Sequence, residues 1–215
     1  GEGVVNMVAQ SYRFHKGVNL LKEMLSPECP YKVGGIGKPL LVEYTSGQHL
    51  SQWYPGRDYR EMYVARNDMG GGVILTSLTH LIDTMRYLFS GFSLEGGFAR
   101  NSGTLGIDVE DAATLMGTAN GAPFVATSDF LQPRHIHRIK VTGSNGVGML
   151  DLVRNSYEWT DGTRSYDTYF PATEDHYRKE LEVFLDAVQR NVPSPVPFLE
   201  GKINLQELER HVKIL

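Results

Sequence analysis

Apolar positions along this chain recur with two periods. Between residues 16 and 25, "KGVNLLKEML" puts Leu20, Leu21, Met24 and Leu25 on one face of a helix; between 74 and 89, Ile74, Leu75, Leu78, Leu81, Ile82, Met85 and Leu88 do the same over a longer span. From residue 92 the period shortens. "FSLEGGFAR", "DAATLMGTA", "PFVATSDFL", "IHRIKVTG", "GVGMLDLV", "SYEWT" and "RSYDTYF" read as strands, divided by the turn dipeptides Asn120-Gly121, Asn145-Gly146 and Asp161-Gly162. Upstream, "VVNMVAQS" at 4–11 and "LLVEYTS" at 40–46 read as two more strands. Helix returns in "EDHYRKELEVFLDAVQRN", with Tyr177, Leu181, Phe184, Leu185 and Val188 on one face, and in the closing "INLQELERHVKIL".

Strands gathered between helices predict an α+β fold: one domain over 1–215, built on a large, mostly antiparallel, open-faced sheet with helices packed on one face. Neighbouring strand positions point to opposite faces, yet Phe124 and Val125 are both apolar, as are Phe130 and Leu131. The open face is therefore expected to meet another domain or subunit. One segment fits neither period. "GQHLSQWYPGRDYREMYVARNDM" is polar and aromatic, and a loop that long in a compact domain is usually there to bind something.

Composition narrows the classes. At 41% hydrophobic and 21% charged, the 215 residues are those of an ordinary globular domain, and a formal charge of -4 offers nucleic acid or an anionic membrane no general attraction. A single cysteine, Cys29, fits a reducing cytosol, and no apolar run reaches the roughly 18 residues of a membrane span.

The candidate chemistry is sparse. "GGIGKP" runs into a strand and "GSNGVG" lies in a hairpin, so neither opens a helix that could face a pyrophosphate. No serine sits in a nucleophile-elbow motif, and Cys29 has no histidine nearby in sequence. His135 and His137 share one strand face without an evident third metal ligand; two solvated or pocket-edge histidines are the better reading, and no metal site is expected. A metal-dependent isomerase using His80, Asp83 and that pair is a weaker alternative. What remains is "GGGVILTSLTHLIDTMRYLF" at 70–89, where three glycines lead into a helix carrying His80 and, one turn on, Asp83. From the residues alone His80 reads first as a histidine on the polar edge of a packed helix, held by a backbone carbonyl or by Asp83. In the functional alternative histidine titrates near neutrality and suits proton transfer, while Trp53, Tyr54, Arg57, Tyr59, Arg60, Tyr63 and Arg66 offer donors and flat faces to a polyhydroxylated or acidic small molecule.

That helix resembles the glycine-led H-x-x-D helix of the Gfo/Idh/MocA oxidoreductases. "VAQSYRFHKG", "WYPGRDYREMYVARNDMGGG", "DVEDAAT", "VTGSNGVGMLDL" and "YRKELEVFLDAVQRN" resemble further landmarks of that family in the same order. The resemblance implies an NAD(P)-dependent oxidoreductase acting on a sugar or sugar-derived alcohol by hydride transfer, of which this chain is the substrate-binding and oligomerisation domain. NAD or NADP would be held mainly by an N-terminal dinucleotide-binding domain absent from the chain, and homo-oligomers would form through the open sheet face.

His80 matches the family's catalytic histidine, and Arg13, Trp53, Arg57, Tyr59, Arg60, Thr76 and Asp83 would lie with the substrate. Many relatives carry aspartate where Thr76 stands, so the proton path differs here, or the chain is a catalytically inactive scaffold that dimerises through its sheet. The glycines are expected to let the helix begin tight against a cofactor or substrate, with His80 pointing into the gap.

Overall fold

The computed structural model describes residues 4–171 and 175–215. Among them the helices are α1 (Lys16–Leu25), α2 (Thr79–Leu88), α3 (His176–Arg190) and α4 (Phe198–His211). The strands are β1 (Pro39–Gly47), β2 (Phe92–Arg100), β3 (Ala112–Ala119), β4 (Ala122–Asp129), β5 (Ile136–Gly143), β6 (Gly146–Asp151), β7 (Ser156–Thr160), β8 (Ser165–Tyr169) and β9 (Val212–Ile214). They form one sheet in the order β8-β7-β6-β5-β1-β4-β3-β2-β9.

The fold is α+β, but the sheet is mixed where a mostly antiparallel one was expected. β1 inserts between β4 and β5, pairing parallel with β4 and antiparallel with β5. Those two flanking strands run in opposite directions, so a strand placed between them must be parallel to one. At the far edge β9 pairs parallel with β2. The closing helix therefore stops earlier than its pattern predicted: β-branched Val212 and Ile214 join the sheet, and Leu215 N–H reaches Ala99 O at 2.8 Å.

Alternation along the strands separates two faces. In β4, Ala122, Phe124 and Ala126 are buried while Pro123 and Val125 between them are exposed. The buried face holds the core, with Val42, Tyr44, Leu115, Ile139, Val141, Leu150 and Trp159 on neighbouring strands. Helix α1 packs on β6 and β7, and α4 on β2.

Two further expectations are corrected. Residues 4–10 form no strand, because they run beside the 191–197 linker with one backbone bond, Val8 N–H to Val196 O at 2.8 Å, and no ladder. The stripe on α3 exists but is unburied: Tyr177, Leu181, Leu185 and Val188 are 46% to 63% exposed. The predicted start of that helix at Glu174 lies outside the described residues.

Candidate functional site

The glycine-led helix begins with close contacts, though not the expected ones. A Cβ on Gly71 would strike the carbonyls of Tyr63 and Val64, and one on Gly72, whose φ is +97°, would land on the Glu110 carboxylate. Glu110 accepts the N–H of Ile74 at 3.0 Å through its side chain and that of Val73 at 3.1 Å through its carbonyl. The space at this helix start is thus filled by the chain's own loop and by an acid that satisfies free N–H groups and the positive end of the helix dipole. Gly71 and Gly72 are buried by these contacts, while Gly70 stays exposed.

A π-helical turn, Ile74–Leu78, then leads into α2. Such turns occur often at functional sites. Here the turn carries Thr76 and Ser77 to the wall of a 270 Å³ cavity that His80 also lines. Across from them stand Ser46 and Gly47 at the end of β1, Ser128 and Asp129 at the end of β4, and His135 and His137 at the start of β5. Parallel pairing brings the first two strand ends together: Ser46 is in register with Ser128, and Ser46 Oγ donates to Ser128 Oγ at 2.9 Å. Gln48 and Trp53 complete the rim, the Trp53 ring edge-on to Phe130. The Trp53 indole N–H has no partner among the described residues.

The floor is aromatic and imidazole. His137 is buried, its Nε2 2.7 Å from the Tyr44 hydroxyl and its Nδ1 3.3 Å from the Tyr12 hydroxyl. Burial holds its pKa down at about 3, helped by the neighbouring His135 and His15, so the ring is neutral. Burial likewise pushes the Tyr12 and Tyr44 hydroxyls up, keeping both protonated. His80 is half-buried; its pKa is lowered by burial against the opposing charge of Asp83, and its Nδ1 lies 2.8 Å from Gln10 Oε1.

Residues 31–148 match the family model of the GFO/IDH/MocA C-terminal domain. The chain belongs to that family. No curated protein matches it. Among solved structures it resembles levoglucosan dehydrogenase in complex with NADH (TM-score 0.75, 20% identity, 95% of this chain and 62% of that one). It also resembles UDP-N-acetylglucosamine 3-dehydrogenase from Acidithiobacillus ferrooxidans (0.70, 18%, 97% and 60%) and a probable dehydrogenase from Thermotoga maritima (0.65, 27%, 97% and 61%). The chain therefore spans about three-fifths of the length of these structures.

Within this GFO/IDH/MocA domain, three of the predicted site residues meet: His80, Thr76 and Trp53 line one cavity. Thr76 Oγ1 donates to Gly72 O at 2.7 Å, so its hydroxyl proton is spent on the helix backbone. Arg13 and Asp83 do not line the cavity. They close on each other through two hydrogen bonds of 2.7 and 2.6 Å, and Asn204 donates to the same carboxylate at 3.1 Å. Arg57 is exposed; Arg60 is exposed and tied to Asp58 at 2.8 Å; the Tyr59 hydroxyl is turned away to Leu105 O at 3.0 Å.

With Asp83 committed to Arg13, the metal-isomerase alternative loses a ligand, and no group of three or more His, Cys, Asp or Glu among the described residues could hold a metal ion. Tyr12, Tyr44, Gln10 and the two serines were not singled out from sequence. One signal was present: "TSG" and "TSD" end two strands in the same way, which marks a shared polar rim only once the strands are known to be parallel neighbours.

Proposed function

We propose that this chain is the substrate-binding part of an NAD(P)-dependent oxidoreductase that oxidises a sugar or sugar-derived alcohol. The observation that carries the reading is His80, held neutral on the wall of a polar cavity in a domain of this family. The two strand-end serines and Gln48 suit sugar hydroxyls, and the Trp53 ring offers a flat face at the rim. His80 takes the proton of the reacting hydroxyl.

NAD or NADP supplies the hydride acceptor. The described residues do not fit its phosphates, since Glu110 already occupies the one glycine-led helix start. The cofactor is accordingly held mainly by a second lobe, and the exposed stripe on α3 supports a covering partner of that kind. The protein works in the cytoplasm, with helices on one sheet face and the other face free to pair with a second copy. No helix among the described residues is long and apolar enough to cross a membrane.

Nicotinamide reduction by the whole protein, assayed over a panel of sugars with each cofactor, tests the proposal. Turnover that His80→Ala abolishes supports it. A second reading, a catalytically inactive binding protein, is favoured by Thr76, which cannot act as a carboxylate base. Binding of a sugar without turnover under either cofactor would select that reading.

A further inference from the structure

The segment before α1 lies along α2 with matched spacing. Arg13 grips Asp83, and three residues earlier on each element Gln10 meets His80. Gln10 is only 4% exposed. Its backbone is held on both sides, the N–H by the Glu180 carboxylate and the carbonyl by Arg13 N–H at 3.1 Å. An amide oxygen can only accept a hydrogen bond. With the Gln10 amide oriented so that Oε1 faces His80 Nδ1 at 2.8 Å, Nδ1 is the nitrogen that carries the hydrogen and Nε2 keeps the lone pair. No hydrogen bond engages Nε2 among the described residues.

We propose that Gln10 is a positioning residue that fixes His80 in its Nδ1–H tautomer, leaving Nε2 as the nitrogen that takes a substrate proton. The Arg13–Asp83 pair is the anchor that keeps the two elements in register. In the proton transfer itself the substrate O–H bond breaks as Nε2–H forms, and Gln10 Oε1 still accepts from Nδ1–H of the cationic ring; the hydride leaving the same carbon would go to the nicotinamide that a second lobe would hold. The inference rests on His80 being the base, but the tautomer belongs to the unliganded chain and is measured without substrate.

Long-range proton–nitrogen spectra of the labelled chain, taken above the histidine titration range, give the result directly. Wild type should show His80 protonated at Nδ1. Gln10→Leu should release the ring to a mixture containing the Nε2–H form, and Gln10→Glu, whose carboxylate also only accepts, should restore Nδ1–H. An Nε2–H ring in wild type, or an unchanged tautomer in a folded Gln10→Leu chain, overturns the proposal. Should Gln10→Leu fail to fold, the wild-type and Gln10→Glu spectra still decide. In the whole enzyme Gln10→Leu should lower kcat by about tenfold or more with KM little changed, as a misplaced tautomer does. A tautomer that behaves as expected while His80→Ala leaves turnover intact would keep this assignment and remove the base assignment.

Discussion

At the scale of single residues, burial decides the chemistry of the two central histidines. A base must be unprotonated to act, and burial lowers the His80 pKa below that of a free imidazole. The acid limb of the kcat/KM profile in the whole protein should accordingly have its midpoint below the usual value of about 6.5, activity rising as pH increases through it. His80→Ala should cost roughly 100-fold or more in turnover, and an effect confined to KM would count against its role.

His137 has the same sign of shift with a different consequence. Its native pKa of about 3 lies far below the ordinary unfolded value, so between about pH 6.5 and that value the unfolded chain takes up a proton the native ring refuses. Stability is full above that window and falls as pH drops through it, by roughly 1.4 kcal/mol per pH unit for this group. Denaturant midpoints at about pH 7.5 and about pH 5 should therefore differ less in His137→Gln than in wild type, by roughly 2 kcal/mol once converted. An equal difference in both would place the buried cost elsewhere.

Among the elements, α2 carries His80 and Asp83, and its glycine-led entry is closely packed. Gly72→Ala forces a left-handed φ of +97° on a residue whose Cβ would collide with the acid capping the helix. A loss of about 2 kcal/mol or more is expected in chemical unfolding, beyond an ordinary surface glycine change, because both backbone and cap must move. Asp83→Asn removes the charge facing Arg13, which is 14% exposed. Breaking a buried pair costs about 3–5 kcal/mol, and Glu200, 3.5 Å from the same guanidinium, places the expected loss at the lower end.

Much of this level was legible beforehand. The helix at 16–25 and the hairpin strands from 92 onward follow from local periodicity and Asn-Gly or Asp-Gly turns. What escaped depends on distance along the chain. β1 pairs with β4 some eighty residues on, and Gln10 reaches His80 across seventy, so no local pattern announces either. The pairing of Arg13 with Asp83, both expected beside the substrate, escaped for the same reason: each is a plausible polar group alone, and only the fold turns them toward each other.

For the whole molecule the question is which apolar surface meets which partner. On the face away from the cavity, Met116 and Val125 are paired in register and 53% and 40% exposed, with Phe98 nearby at 43%. The Lys140–Glu43 ion pair, 2.8 Å long, adjoins them, since Glu43 pairs with Val125. An apolar patch bordered by paired charges on a sheet face suits an isologous contact with a second copy, whereas the narrow stripe on α3 suits a helix or lobe laid beside it.

Met116→Lys with Val125→Lys should then convert a homo-oligomer to monomer in sedimentation, because like charges would face each other across a two-fold axis. The cavity should be untouched: Tyr44 points to the buried face and its neighbour Glu43 to the open one, so the His80 ring signals should stay as in wild type. If instead the double variant keeps its assembly and Leu181→Lys with Leu185→Lys dissolves it, the two surfaces have exchanged partners and the helix stripe is where copies meet.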